Sequence, residues 1–228
     1  MNKVLGVICG ICIFFVMLYV SVCIPALTLG YYEKSFEKNN VVEDIKVNKD
    51  DLMKVTKVLT DYMKDERDDL EVIVTVNGTS REFFNEKEKL HMVDVKDLLL
   101  NGRMLKNISL VVLTICVLFF VFKYKKIPRG FLSASAITIV GITILLLILG
   151  LLVSTNFNKY FIIFHEIFFS NDLWILEPGV DLLINLVPLQ FFISISVFIV
   201  ALLGFFMATY VFLVRFLIKK LRLKKNIR

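Results

Sequence analysis

Histidine is scarce in this sequence: His91 and His165 are the only two. Cysteine is scarce as well, and Cys9, Cys12, Cys23 and Cys116 all sit inside long apolar runs. Outside those runs there is no thiol, which excludes a cysteine nucleophile and a disulfide framework there. Cys9-Gly10-Ile11-Cys12 has CxxC spacing, but its apolar surroundings offer no polar partner to lower a thiol pKa, so these cysteines read as small packing residues. The GxSxG elbow, HExxH, GxGxxG and the P-loop GK[ST] are all missing, which removes the common templates for serine hydrolases, zinc proteases, dinucleotide enzymes and nucleotide triphosphatases. Acidic residues are missing from 123–130 and from the tail that starts at Arg215. Tryptophan occurs once, as Trp174.

What is abundant is hydrocarbon. The chain of 228 residues is 57% hydrophobic, with a mean hydropathy of +0.74. That is too apolar for an ordinary soluble domain. Segments 4–29, 104–122, 131–153 and 190–214 are read as membrane helices, each near the roughly 20 residues that cross about 30 Å of hydrocarbon. The second is short, with a strict apolar run only from Ile108 to Phe122, and needs the stem of Lys106 and a turn at Met104–Leu105. The first segment follows Lys3 but no small-x-small cleavage site follows it, and Val22 before Cys23 makes a poor lipobox, so an uncleaved anchor is expected.

The net charge of +6 divides unevenly. Loop 123–130 carries Lys123, Lys125, Lys126 and Arg129, and the tail 215–228 carries seven basic residues. The loop 31–106 carries 14 basic and 17 acidic residues, a net of −3. Lys and Arg stay on the cytoplasmic side, which predicts both termini inside, a cap at 30–103 and an interfacial loop at 154–189 outside, and 123–130 inside. A basic tail beside a membrane is a topology anchor with affinity for anionic lipid, so no nucleic-acid partner is expected. The expected fold class is a polytopic α-helical membrane protein: four transmembrane helices with a small extracytoplasmic α+β cap.

After the first span YYEKSFEKNN reads as a polar exit. Within the cap, Val41–Val47 reads as a short strand and Asn48–Lys64 as an amphipathic helix, with Leu52, Val55, Leu59 and Tyr62 on one face. Glu71–Val76 and Thr79–Phe84 read as a hairpin about Asn77-Gly78. Asn85–Leu100 reads as a helix with a capping box between Asn85 and Glu88 and a stop at Asn101-Gly102. Later, Phe161–Phe169 is too short to span and too apolar for water. It is placed at the outer interface, with Trp174 at headgroup level. Asn171-Asp172 caps a turn, and Asp181–Asn185 forms a further short helical piece.

Taken singly, His91 reads as a surface histidine beside ordinary helix charges, and His165 as an interfacial residue bonded to backbone. The topology brings both to the same face of the membrane, and that convergence is the clue. Imidazole exchanges protons near neutrality. Two of them beside lipid suit an acyl transfer, one deprotonating an amine or hydroxyl, the other protonating an alkoxide or holding an oxyanion. Residue spacing leaves open which does which. A carboxylate one turn away, Asp94, is expected to orient His91, and Asn171, Asp172, Trp174 and Asp181 to shape the second site. A zinc site would need His91, His165 and carboxylates such as Asp94 or Glu166, but no spacing motivates it. No cofactor and no metal are expected.

Three blocks go further: LHMVDVK at 90–96, FHEIFFSNDLW at 164–174 and LEPGVDLLINLVP at 176–188. Together they resemble the bacterial lipoprotein intramolecular transacylase family, and the similarity extends over essentially the whole chain. The resemblance implies a plasma-membrane acyltransferase that makes lyso-form lipoproteins. It would move the sn-2 acyl chain of a diacylglyceryl-modified N-terminal cysteine onto that cysteine's own α-amino group. It also implies that the motif histidines, here His91 and His165, are the catalytic pair. The partners would be diacylglyceryl-modified lipoproteins and membrane lipid. Such a reaction takes its nucleophile from the substrate, which agrees with the missing enzyme nucleophile. Two other readings stay open. One is a non-enzymatic cap that binds lipid or a partner; the other is an acyltransferase or hydrolase acting on free lipid.

Overall fold

The computed structural model describes the backbone of residues 1–226 and the side chains of residues 1–222; the side chains of Lys224, Lys225 and Arg228 in the basic tail lie outside the described residues. The chain forms α1 (Asn2–Ala26), α2 (Leu29–Lys38), α3 (Val41–Ile45) and α4 (Lys49–Lys64), then β1 (Ile73–Val76) and β2 (Thr79–Glu82). It continues with α5 (Glu86–Tyr124), α6 (Arg129–Thr155), α7 (Phe157–Phe168), α8 (Leu182–Leu186) and α9 (Leu189–Asn226). The fold is mostly helical with one small two-stranded sheet, and α1, α5, α6 and α9 are long and apolar enough to cross a membrane. The chain divides into two compact units.

The bundle unit holds Met1–Ser21, Gly102–Thr155 and the chain from Ile199. Its four helices bury Cys9, Cys116, Phe120, Phe131, Leu132, Ala136 and Val214 in one cluster, and Ile139, Leu203 and Met207 in another. None of the four cysteines is in a disulfide, and Cys9 packs as an apolar residue in the first cluster. Large apolar side chains such as Ile137, Leu151 and Phe212 point outward, as hydrocarbon solvent requires. α1 meets α6 through Gly6 and Gly10, one helical turn apart. A Cβ on Gly6 would lie 2.5 Å from the Phe131 carbonyl oxygen, and one on Gly10 would lie 2.8 Å from Thr138 Cβ. Small residues at this spacing let membrane helices approach closely. Gly6→Val is therefore expected to destabilise the bundle by about 1–3 kcal/mol. Gly141→Ala, with open space around it, should be neutral or slightly stabilising. Thermal unfolding in detergent compares the two, and equal melting temperatures would refute the close approach.

The cap unit holds Val22–Asn101 and Asn156–Phe198. Its amphipathic helix α4 is capped by Asn48, whose side chain accepts from Asp51 N, and buries Leu52, Val55, Leu59 and Tyr62 as the periodicity predicts. The hairpin pairs Ile73 with Glu82 and Val76 with Thr79. Asn77 at φ 49° and Gly78 at φ 79° make its two-residue turn left-handed, matching the twist of the strands. Phe36, Phe83 and Phe84 are fully buried, each contributing about 1.5–3 kcal/mol of hydrophobic stabilisation.

Three local expectations are corrected. Val41–Ile45 is the helical turn α3, not a strand. Val41 and Ile45, four residues apart, are both buried, and left-handed Asn40 and Lys46 bound the turn. Four-residue spacing puts Val41 and Ile45 on one face of a helical turn, so this β-branched run buries its apolar side by coiling. Second, YYEKSFEKNN is not merely a polar exit. Most of it is α2, which buries Tyr32, Ser35 and Phe36. Tyr31 donates to Ser194 Oγ at 3.2 Å, and the Tyr32 ring lies 5.0 Å from Phe191. Third, the helix begun at Glu86 does not stop at Asn101-Gly102, and there is no turn at Met104–Leu105. It runs unbroken to Tyr124. Gly102 serves close approach instead of termination: a Cβ there would lie 3.2 Å from the Tyr19 ring, over which the Lys106 ammonium also sits. The polar first half of α5 belongs to the cap unit, and its apolar stretch 104–122 to the bundle.

Candidate active site

α5 begins as its sequence requires. Asn85 Oδ1 accepts from Glu88 N at 2.9 Å, and Glu88 Oε2 accepts from Asn85 N at 2.7 Å, a complete capping box. One turn on, His91 points into the cap, 7% exposed. Its Nδ1 is buried without a hydrogen-bond partner in the protein. Burial first, and the nearby His165 second, push His91 down to about 4, against a smaller opposing pull from Asp94.

α7 starts at Asn156, whose side chain accepts from Lys159 N, and is amphipathic. His165 lies on its buried face, 8% exposed. His165 Nδ1 lies 2.7 Å from the Phe161 carbonyl oxygen one turn back. A carbonyl only accepts, so Nδ1 carries the proton and Nε2 keeps its lone pair. Burial lowers the His165 pKa from the usual histidine range, and the Phe161 carbonyl partly offsets this.

The two imidazoles face each other with ring centroids 6.3 Å apart. Aromatic rings wall them in. Trp174 lies 4.9 Å and Phe161 4.3 Å from His165, while Phe169 lies 5.4 Å from His91 and 5.5 Å from His165. Next to the pair, Asp94, Asp97, Asn101, Phe169 and Asn171 border a cavity of about 170 Å³. A low-dielectric wall around two neutral imidazoles strengthens any hydrogen bond made between them. Such a pair can accept a proton at one ring and donate an N–H at the other.

The sequence model of the lipoprotein intramolecular transacylase Lit family matches residues 7–192. The chain belongs to that family. It is an acyltransferase, and it resides in a membrane. The family's solved structures share the fold. The membrane-integral lipoprotein intramolecular transacylase Lit from Bacillus cereus superposes with a TM-score of 0.81 at 22% identity, covering 98% of each chain. Two further structures of that Bacillus cereus protein carry one histidine replaced by arginine or by alanine. Each superposes with a TM-score of 0.76 at 22% identity over 98% of this chain, covering 95% and 96% of theirs. No curated protein sequence matches this chain.

The other predicted residues fall into three groups. Trp174 stacks on His165. Asp94 stands beside the pair, but its Oδ2 accepts from Asn171 Nδ2 at 2.9 Å, and Asn171 Oδ1 in turn accepts from Leu173 N. The carboxylate thus holds the loop after α7 directly and reaches His91 only through space. Asp172 is exposed, and its backbone carbonyl closes a turn with Ile175 N. Asp181 is buried near Asn85, about two turns of α5 from His91. Among the described residues no three His, Cys, Asp or Glu side chains gather in a metal-binding cluster. Sequence reasoning passed over the aromatic wall. Phe161 and Phe169 lie four residues either side of His165, a helical spacing that was available to read.

Proposed function

We propose that this enzyme moves the sn-2 acyl chain of a diacylglyceryl-modified N-terminal cysteine to the α-amino group of the same cysteine, with His165 as base and His91 as neutral N–H donor. The observation that carries this is the meeting of the chain's two histidines in a buried aromatic site. The α-amine attacks the sn-2 ester carbonyl carbon, forming the C–N bond, and His165 Nε2 takes a proton from nitrogen. A ring N–H of His91 donates to the oxyanion. Collapse breaks the bond to the glycerol oxygen, and His165 returns its proton to that alkoxide. The products are an amide and a secondary alcohol, with no acyl group gained or lost. The cavity beside the pair is bordered by Asp97 and Asn101 as well, which offer a carboxylate and an amide to the entering amine.

In this reading the site faces outward. The acid-free loop 123–130 and the basic tail support cytoplasmic termini and an extracytoplasmic cap at 30–103 and 154–189. The four spans are then 4–29, 104–122, 131–153 and 190–214. Mass spectrometry of the N-terminal peptide of an abundant lipoprotein tests the reaction. In a host lacking its own N-acylation, expression of this protein should leave the peptide's diacyl mass unchanged while fragmentation moves one chain from glycerol to nitrogen. Persistence of the diacylglyceryl form despite confirmed membrane expression would refute it; release of fatty acid would point to hydrolysis instead.

A further inference from the structure

Glu88 is fully buried, yet it lies outside the chemistry just described. A capping-box glutamate ordinarily returns to its own helix start and stays in water. Here one oxygen does so, accepting from Asn85 N at 2.7 Å. The other accepts from Leu183 N at 2.5 Å, at the start of α8, 95 residues along the chain. Asp181, the residue just before α8, makes no side-chain cap there. It crosses the other way: Oδ1 accepts from Asn85 Nδ2 and Oδ2 from Glu177 N, both at 2.7 Å. Glu88 thus accepts from the backbone at both helix starts, and Asp181 adds a side-chain bond to Asn85.

These cross-bonds are one end of a strap. Between α7 and α8 the chain is tied to the first turns of α5 at Asn171 by Asp94, at the Ile175 carbonyl by Lys87, and at Asp181–Leu183 by Asn85 and Glu88. Glu88 and Asp94 each lie three residues from His91, on its side of the helix. The strap carries Trp174, which stacks on His165. His91 is fixed by α5, and His165 is held against it by what the strap presses down.

We infer that Glu88 is a positioning residue of the transacylase: by tying Leu183 and Asn85 together it fixes the strap on α5, and so sets the Trp174–His165 stack and the spacing of the two imidazoles. The inference rests on the histidine pair being the reacting site. Both carboxylate oxygens accept a backbone N–H, so glutamine, with one oxygen and one NH2 group, must leave one of those donors facing another donor.

Trp174, as the only tryptophan, reports the stack directly. In the full chain in detergent its emission should fall as His165 protonates, with a midpoint below the ordinary histidine value of about 6.5. In Glu88→Gln the midpoint should move up towards about 6.5, because a loosened stack exposes the ring. On diacylglyceryl lipopeptide, kcat should fall about 10- to 100-fold with KM within about threefold, the mark of misplaced groups as opposed to lost binding. Val58→Ala, a truncation buried in α4, should leave both the Trp174 midpoint and kcat as in the wild type. If Glu88→Gln does not accumulate folded, Asp181→Asn repeats the experiment on the reciprocal bond, with the same result expected. Unchanged kcat, or a fall in kcat with an unmoved Trp174 midpoint, would overturn the inference. If the wild type makes no lyso-form product, the reaction reading fails, and the Trp174 midpoints of the two proteins alone decide whether Glu88 holds the strap.

Discussion

His165→Ala is expected to lower kcat about 10²- to 10⁴-fold while the protein still inserts and folds. Two features set that size. The Phe161 carbonyl holds the proton on Nδ1, so Nε2 is a ready acceptor with no rearrangement needed. Nothing replaces it: the nearby Asp94 carboxylate is engaged by Asn171, and Glu166, next in the chain, is exposed. The substrate amine has a pKa near 8, so about a tenth of it is already neutral at pH 7. In the proposed reaction the base would be needed chiefly to take the proton that nitrogen sheds after attack and to hand it to the alkoxide. His165→Gln keeps polarity and much of the shape but lacks the base, and should be as slow as alanine. Imidazole added to His165→Ala should recover part of the rate, because the space left behind keeps its Trp174, Phe161 and Phe169 walls. Turnover of His165→Ala within fivefold of the wild type would remove it as the base.

His91→Ala should cost about 10²- to 10³-fold in kcat, the size expected for loss of one oxyanion donor. The direction of its pKa decides how it acts. At about 4, His91 is neutral near pH 7, and only about one molecule in a thousand carries the imidazolium. A neutral ring donates a hydrogen bond and does not deliver a spare proton. His91→Gln, which keeps an N–H donor, should therefore outperform His91→Ala. The profile of log kcat/KM against pH should rise with slope one towards about pH 8 as the amine is freed. The slope should steepen to two only at lower pH, once His165 also protonates, because burial holds its pKa below the ordinary histidine value. His91 should add no descending limb above pH 4. A fall in kcat/KM as pH rises from 5 to 7 would show His91 acting as imidazolium and overturn this assignment. For stability the sign is the same: both folded pKa values lie below the unfolded one, so the unfolded state binds more protons between about pH 4 and 6.5, and the cap loses stability as pH falls through that window.

What was legible beforehand was local. Asn77-Gly78 announced the hairpin, Asn48 and Asn85 announced the starts of α4 and α5, and four apolar runs announced four long helices, because each signal lies within a few residues of its effect. With only two histidines, the candidate pair could be named without knowing how they meet. The failures were non-local. Gly102 looks like a stop until Tyr19 is packed against it, and Val41–Val47 looks like a strand until Val41 and Ile45 are buried together on one face of a helical turn. The second bond of Glu88 joins residues 95 apart, so sequence showed only the capping box. Phe161 and Phe169 looked like interfacial anchors, and only the fold turns them towards His165.

The partner of His165 Nδ1 is a main-chain carbonyl, and this has an electrostatic consequence. In a serine-protease triad an aspartate stands at that position and brings a full buried anion. Here the imidazole is aimed by a dipole that carries no net charge. Both rings are held neutral near pH 7 by burial, so the proposed entry of two fatty acyl chains would strip water from no ion on either imidazole. In the proposed reaction charge would separate only while the tetrahedral adduct lives, inside walls of Phe and Trp, and would be cancelled within the same pocket when the alkoxide is reprotonated. The aiming group also belongs to the backbone, so no side-chain substitution at Phe161 removes it: such variants should alter the wall around His165 and leave its tautomer in place.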